Sequence, residues 1–302
     1  MFVKYQHIEK YGTDETQNIE IGTCYIFPKI DGTNSSIWIE NNIIKAGSRR
    51  RELSLDDDNA GFYEWVLKQD NLKLFLESHP HLRLFGEWLV PHSLKTYRDE
   101  AWRKFYVFDV CQVIEGDENR PLKYLRYEDY KILLDEFRVE YIPPIRIIKN
   151  GSYEDFIKVL EANNYLVKDG LGSGEGIVIK NYSYENKYKR QTWAKIITSE
   201  FKEKHHKEMG APIVNGKQLV EDEIVNDFCT DVLIKKTFEK IKLENSGWNS
   251  KYIPQLLGRV WYDLIREESW TFIKRLKNPV INFKTLQYKV TLKIKEILPE
   301  IF

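Results

Sequence analysis

The string Lys29-Ile30-Asp31-Gly32-Thr33-Asn34 closes an apolar run, and its lysine is a candidate nucleophile. An amine attacks only when neutral, so a side chain with an ordinary pKa of about 10.4 must be pulled down by burial or by nearby cations. A site built on Lys29 should therefore bring other cations close. Downstream, charges interrupt runs that otherwise read as β-core: Glu87 in Phe85-Gly86-Glu87-Trp88, Asp109 in FYVFDV (105–110), Glu175 and Lys180 in EGIVIK (175–180), and Lys195 in Trp193-Ala194-Lys195-Ile196. Charges inside strands are costly unless they are paired or face a cleft. Together they point to one shared polar site around an amine nucleophile. The Gly-rich stretch KDGLGSGEG (168–176) leads into a strand-like run rather than a helix, which speaks against a phosphate-cradling loop of the Walker type.

The elements that must position these residues alternate. CYIFPKI (24–30), SSIWIE (35–40), LRLFGEWL (82–89), KFYVFDVC (104–111) and GEGIVIK (174–180) carry the β-branched and aromatic residues of strands. Between them GFYEWVLKQDNLKLFLES (61–78) and SYEDFIKVLEA (152–162) have helical spacing, marked by Phe62, Val66 and Phe75 and by Phe156 and Leu160. After residue 210 the strand runs stop. Three amphipathic helices are expected at about 219–243, 254–277 and 282–298, with Leu257, Trp261, Leu264 and Ile265, then Leu286, Val290, Ile294 and Ile297, on the apolar faces. The reading is an α+β domain over 1–209 and a small all-helical domain over 210–302, divided near Met209, Gly210 and Pro212.

Composition bounds what such a chain can be. Its 302 residues, 42% of them apolar, exclude disorder and suffice for two domains. No run approaches the roughly 18 apolar residues of a membrane helix, and MFVKYQHIEK lacks the apolar core of a signal peptide, so an intracellular, cytoplasmic protein with no membrane partner is expected. Cys24, Cys111 and Cys229 lie far apart without ligand spacing and read as reduced packing residues. The 46 basic and 46 acidic residues cancel, yet residues 211–302 hold 15 basic and 12 acidic side chains, and 271–302 hold seven against two. A basic helical surface can follow phosphates, and a solvated helix face is the equal alternative.

KxDG followed by FGE, FYVFDV, EGIVIK and a lysine-bearing strand, in this order, resembles the covalent nucleotidyltransferase superfamily of nucleic acid ligases and mRNA capping enzymes. Within it the chain is most similar to the RNA ligase 2 family, which holds phage double-strand RNA ligases and kinetoplastid RNA-editing ligases. The likeness rests on the opening Phe2-x-Lys4-Tyr5-x-x-Ile8-Glu9, on Thr33 and Asn34 completing KxxGTN, and on the interval from Glu87 to Phe108. It covers roughly residues 1–205. It implies an ATP-grasp-like ligase domain of antiparallel sheets with flanking helices, and a monomeric, ATP-dependent RNA ligase of cellular, viral or phage origin. Such an enzyme joins 5′-phosphate and 3′-hydroxyl RNA ends, notably nicks in duplex RNA, using Mg²⁺ or Mn²⁺.

The resemblance also implies roles. Lys29 would carry AMP, with Asp31 assisting the leaving group or metal. Lys180 and Lys195 would contact the nucleotide phosphate and keep Lys29 neutral, and Arg49 would contact ribose or phosphate. Asn34 would bond phosphate or the RNA end, Glu87 the ribose, and Phe108 would stack on adenine. Glu175 would bind the metal. Two departures stand out: Ile197 occupies a family lysine position, for which Lys202 or Lys204 could substitute, and Pro28 replaces a glutamate that reads the adenine amine. His205 and His206 read as solvated surface. The alternatives are a DNA-joining or GTP-using capping-type enzyme, and an inactive RNA-binding relative. Helices in place of a β-rich OB domain after Lys195 weigh against the first. The retained charges weigh against the second, and the C-terminal helices would hold the RNA.

Overall fold

The computed structural model describes residues 2–91, 97–114, 116, 121–170, 174–197 and 220–302. The chain divides into two compact units, Met1–Gly210 and Ala211–Phe302. Among the described residues the first unit contains ten strands: β1 (Glu9–Lys10), β2 (Thr23–Lys29), β3 (Thr33–Glu40), β4 (Ile43–Ser48), β5 (Leu82–Leu89), β6 (Lys104–Val113), β7 (Leu122–Tyr124), β8 (Arg146–Lys149), β9 (Gly176–Lys180) and β10 (Ala194–Ile197). Its helices are α1 (Phe62–Val66), α2 (Asp70–Ser78), α3 (Tyr127–Glu136) and α4 (Tyr153–Glu161).

The strands form two five-stranded sheets, ordered β1-β10-β9-β2-β8 and β4-β3-β5-β6-β7. All pairings are antiparallel except the short β1–β10 pair, which is parallel. Cross-strand partners share a face, so the register sorts the residues of the first sheet. Cys24, Ile26, Ile177, Ile179, Ala194 and Ile196 turn outward and pack on Phe156, Val159 and Leu160 of α4. Helix α4 begins with a capping box in which Ser152 and Asp155 bond each other's backbone. Phe27 and Val178 turn inward, into a core shared with Tyr97, Tyr106 and Trp193. On the outer side of the second sheet, Phe62 of α1 packs on Trp88 and Phe105.

The apolar stretch 61–78, expected as one helical run, is two helices. Gln69 is extended (φ −101°, ψ 97°), and α2 starts afresh at Asp70. The strand at 82–89 falls where its residues indicate. The edge strands β4 and β8 were not expected; Ile43, Arg146 and Ile147 are exposed and blur the apolar signal.

The second unit has four described helices, α5 (Val220–Phe228), α6 (Asp231–Glu244), α7 (Ile253–Arg275) and α8 (Phe283–Ile297), where three were expected. The expected first helix is interrupted at Thr230, whose extended backbone (φ −75°, ψ 155°) ends one helix while its side chain accepts the Leu233 N–H and caps the next. Leu256, Val260, Leu264, Phe272, Leu286, Val290 and Ile294 form this unit's own buried core. All three cysteines are buried and free, and burial pushes the thiols of Cys24 and Cys229 up to about 12. No described helix is long and apolar enough to cross a membrane.

Candidate functional site

Lys29 ends β2 in the first sheet, and β3 of the second sheet begins at Thr33, so Ile30-Asp31-Gly32 is the strand-to-strand crossover between sheets. The candidate nucleophile therefore stands where side chains from both sheets converge. The crossover is tight. A Cβ on Gly32 would lie 2.5 Å from the Trp88 carbonyl oxygen and 3.1 Å from Cγ of Glu87, so only glycine fits without displacing backbone.

Two side chains brace this turn through its amides. Glu87 accepts the Gly32 N–H at 2.9 Å, and the phenol oxygen of Tyr97 accepts the Asp31 N–H at 2.6 Å. Tyr97 is almost wholly buried. Its phenol is raised far above the ordinary range by burial first, and then by the carboxylates of Glu175, Asp31 and Glu87. Three acids are thus gathered within electrostatic reach of one buried hydroxyl. Glu175 lies just before β9, and its Oε2 is 2.6 Å from Nζ of Lys29. Both side chains keep some exposure, 24% for Lys29 and 13% for Glu175.

The register places the remaining candidates. On the inner face of the first sheet, Lys29, Gly176 and Ile197 form one row across β2, β9 and β10, and Phe27, Val178 and Lys195 form the next. With strands about 4.8 Å apart, Lys29 and Ile197 sit about 10 Å from each other with a side-chain-free glycine between them. Gly176 is also sterically required, since a Cβ there would meet the Ile196 carbonyl oxygen at 2.3 Å. Asn34 and Glu87 are cross-strand partners on one face of the second sheet. Arg49 follows β4, is exposed, and has Nη2 3.5 Å from Nδ1 of His7.

Lys180 stands away from Lys29 along the sheet. It pairs with Tyr25, four residues along β2 from Lys29, a displacement of about 13 Å. Its Nζ is 2.8 Å from Oδ1 of Asp109, donates to the Phe108 carbonyl at 2.5 Å, and is 2% exposed. Burial lowers its pKa, against the opposing pull of Asp109. So placed, the Lys180 side chain links the two sheets. Phe108 itself occupies a bulge: Phe85 opposes Asp109 and Gly86 opposes Val107, which leaves Phe108 outside the ladder and its carbonyl open to Lys180.

The structure thus brings Lys29, Asp31, Glu87 and Glu175 together at the crossover, with Lys195 on the same sheet face as Lys29. Tyr97 is the residue the sequence did not single out, since a lone tyrosine between polar residues carries no motif. The histidine pair His205 and His206, the lysines Lys202 and Lys204, and the boundary at Met209, Gly210 and Pro212 lie outside the described residues, as do Leu171, Gly172 and Ser173 of the Gly-rich stretch. Among the described residues, no group of three or more His, Cys, Asp or Glu side chains could by itself hold a metal ion.

A model of the RNA ligase family matches residues 22–197. No curated protein sequence matches the chain significantly. Solved structures of a Naegleria gruberi RNA ligase share its fold. A variant with ATP and Mn is 17% identical with a TM-score of 0.51, an apo variant 19% identical with 0.50, and a variant with AMP and Mn 17% identical with 0.50. Each likeness covers 68% of this chain and 58% of the other, so the match spans less than two thirds of the Naegleria chains.

Proposed function

Because the chain belongs to the RNA ligase family, whose model spans more than half of it, we propose that it joins RNA 5′-phosphate and 3′-hydroxyl ends with ATP, through an AMP adduct on Lys29. The observation that carries the reading is the placement of Lys29 at the crossover, 2.6 Å from Glu175 and on one sheet face with Lys195. Nζ of Lys29 attacks the α-phosphate of ATP and pyrophosphate leaves. The AMP then passes to the RNA 5′-phosphate, and the 3′-hydroxyl attacks that end and expels AMP. Each step is an in-line phosphoryl transfer, in which the protein supplies position and charge. Glu175, 2.6 Å from Nζ of Lys29, holds that side chain in place before attack and is within reach to accept its proton. Lys195 and Arg49 contact phosphate or ribose, Asn34 meets phosphate or the RNA end, and Phe108 stacks on adenine. Asp31 acts beside the leaving pyrophosphate, and Glu87 reaches the ribose from the turn it braces. Lys180 serves these contacts indirectly, by fixing Phe108 and Asp109.

Mg²⁺ or Mn²⁺ suits the donor set. A carboxylate such as Glu175 offers the hard oxygen ligand that such an ion takes together with phosphate oxygens and water. Glu175 would hold it, and the ion would neutralise charge building on the phosphate. The helical unit, with its basic C-terminal stretch, holds the RNA, and nicks in duplex RNA are the substrates. The protein acts as a monomer, and its buried free thiols suit a reducing cytoplasm.

The test is to incubate the protein with a 5′-phosphate-nicked RNA duplex, metal and either ATP or GTP, in parallel with DNA nicks. The reading expects ATP-dependent sealing of the RNA nick. Sealing with GTP alone, or of DNA alone, would overturn it.

A further inference from the structure

The segment before β1 lies against the inner face of the second sheet and touches two candidate nucleotide contacts. The Tyr5 hydroxyl donates to Oδ2 of Asp109 at 2.5 Å, while the other carboxylate oxygen of Asp109 pairs with Lys180. The Tyr5 ring packs at 4.9 Å on Phe108 and at 5.1 Å on Phe85. Before it, Val3 accepts a bond from the guanidinium of buried Arg83, and after it His7 meets Arg49. Phe2 fills the space over Gly47, where a Cβ would come within 2.8 Å of its ring. The segment is therefore fixed at several points along its length.

The bulge explains why Phe108 needs such support. Ladder bonds do not hold a bulged residue, so its backbone and ring are set by what packs on them. Here the carbonyl is set by Lys180, the following carboxylate by Lys180 and Tyr5, and the ring by Tyr5. We propose that Tyr5 is a positioning residue for the nucleotide base, acting through Phe108: its ring and its bond to Asp109 hold the Phe108 ring in the orientation that stacks on adenine. This rests on the reading of Phe108 as the stacking residue. Burial and the adjacent Asp109 carboxylate keep the Tyr5 phenol protonated, so it remains a donor to Asp109 across the working pH range.

The discriminating substrate is ribose 5′-triphosphate, which offers the phosphates and sugar of ATP without the base. Self-adenylation kinetics with ATP, and inhibition of that reaction by ribose triphosphate, are measured for the full chain and for Tyr5→Phe, Phe108→Ala and the double variant, with thermal melting of each. Loss of a hydrogen bond to a carboxylate should raise KM for ATP roughly ten-fold. The inhibition constant of ribose triphosphate should stay within about two-fold, because no base is stacked, and Tyr5→Phe should add little once Phe108 is gone. An equal loss of affinity for both nucleotides, a KM unchanged from wild type, or full additivity with Phe108→Ala would each overturn the role of Tyr5. Absence of adenylation in the wild type would instead refute the ligase reading. A Phe108→Ala variant with an unaltered KM would refute the stacking role of Phe108.

Discussion

Nζ of Lys29 and Oε2 of Glu175 lie 2.6 Å apart, although 146 residues separate them in the chain. The contact joins the end of β2 to the residue just before β9, whose first residue, Gly176, is the cross-strand partner of Lys29. In the proposed reaction it gives Lys29 a resting partner that must release it before attack.

Glu175→Gln keeps the shape of the side chain and removes both the base and the anionic ligand. The rate of self-adenylation should fall on the order of 10²-fold or more. A chelator such as EDTA should silence the wild type, and added Mn²⁺ should restore it. Labelling with α-phosphate-labelled ATP reads both effects, and undiminished labelling of Glu175→Gln would remove Glu175 from the reaction.

Tyr97→Phe removes the buried phenol oxygen that accepts the partly buried Asp31 N–H. Losing that partner should cost about 1–3 kcal/mol of stability, read by urea unfolding. Adenylation should also slow by roughly ten-fold, since the turn that carries Lys29 loosens. Melting that falls without any change in rate would confine Tyr97 to the fold.

Lys180 sits 2% exposed against a fully buried Asp109. Lys180→Met should destabilise by about 3–5 kcal/mol by stranding that carboxylate, and the double variant Lys180→Met with Asp109→Leu should recover most of the loss. Burial sets the folded pKa of Lys180 below the unfolded value. Between the two the unfolded chain binds the extra proton, so the stability contributed by Lys180 rises with pH across that alkaline window and is lower beneath it. Unfolding curves of the wild type and the double variant at several alkaline pH values check the sign.

Ile197 shares a row with Lys29 across the glycine gap. Ile197→Lys would add a cation about 10 Å from the nucleophile, which should lower KM for ATP several-fold by attracting the triphosphate. An unchanged KM would mean that the row does not face the phosphates.

The sequence made the crossover legible because its residues are local: lysine, aspartate and glycine fall within four positions, and the apolar runs around Glu87 and Glu175 mark their strands. The partner of Lys180 was hidden for the opposite reason. A charge inside a strand announces only that it needs a partner, and Asp109 lies on another strand of the other sheet, a pairing no spacing reveals. The bracing role of Tyr97, and the bond of Tyr5 to Asp109, were silent because a phenol between polar residues shows no partner until its hydrogen bonds are seen. The split of the first C-terminal helix hid in one threonine, whose capping role depends on its backbone angles rather than its type.

The covalent adduct itself is the most direct test. The full chain is incubated with ATP and Mn²⁺, digested under conditions that preserve a phosphoramidate, and mapped by mass spectrometry. One AMP on the peptide bearing Lys29, lost in Lys29→Ala, is the predicted result. AMP on Lys195 or on any other residue, or label that survives Lys29→Ala, would contradict the account.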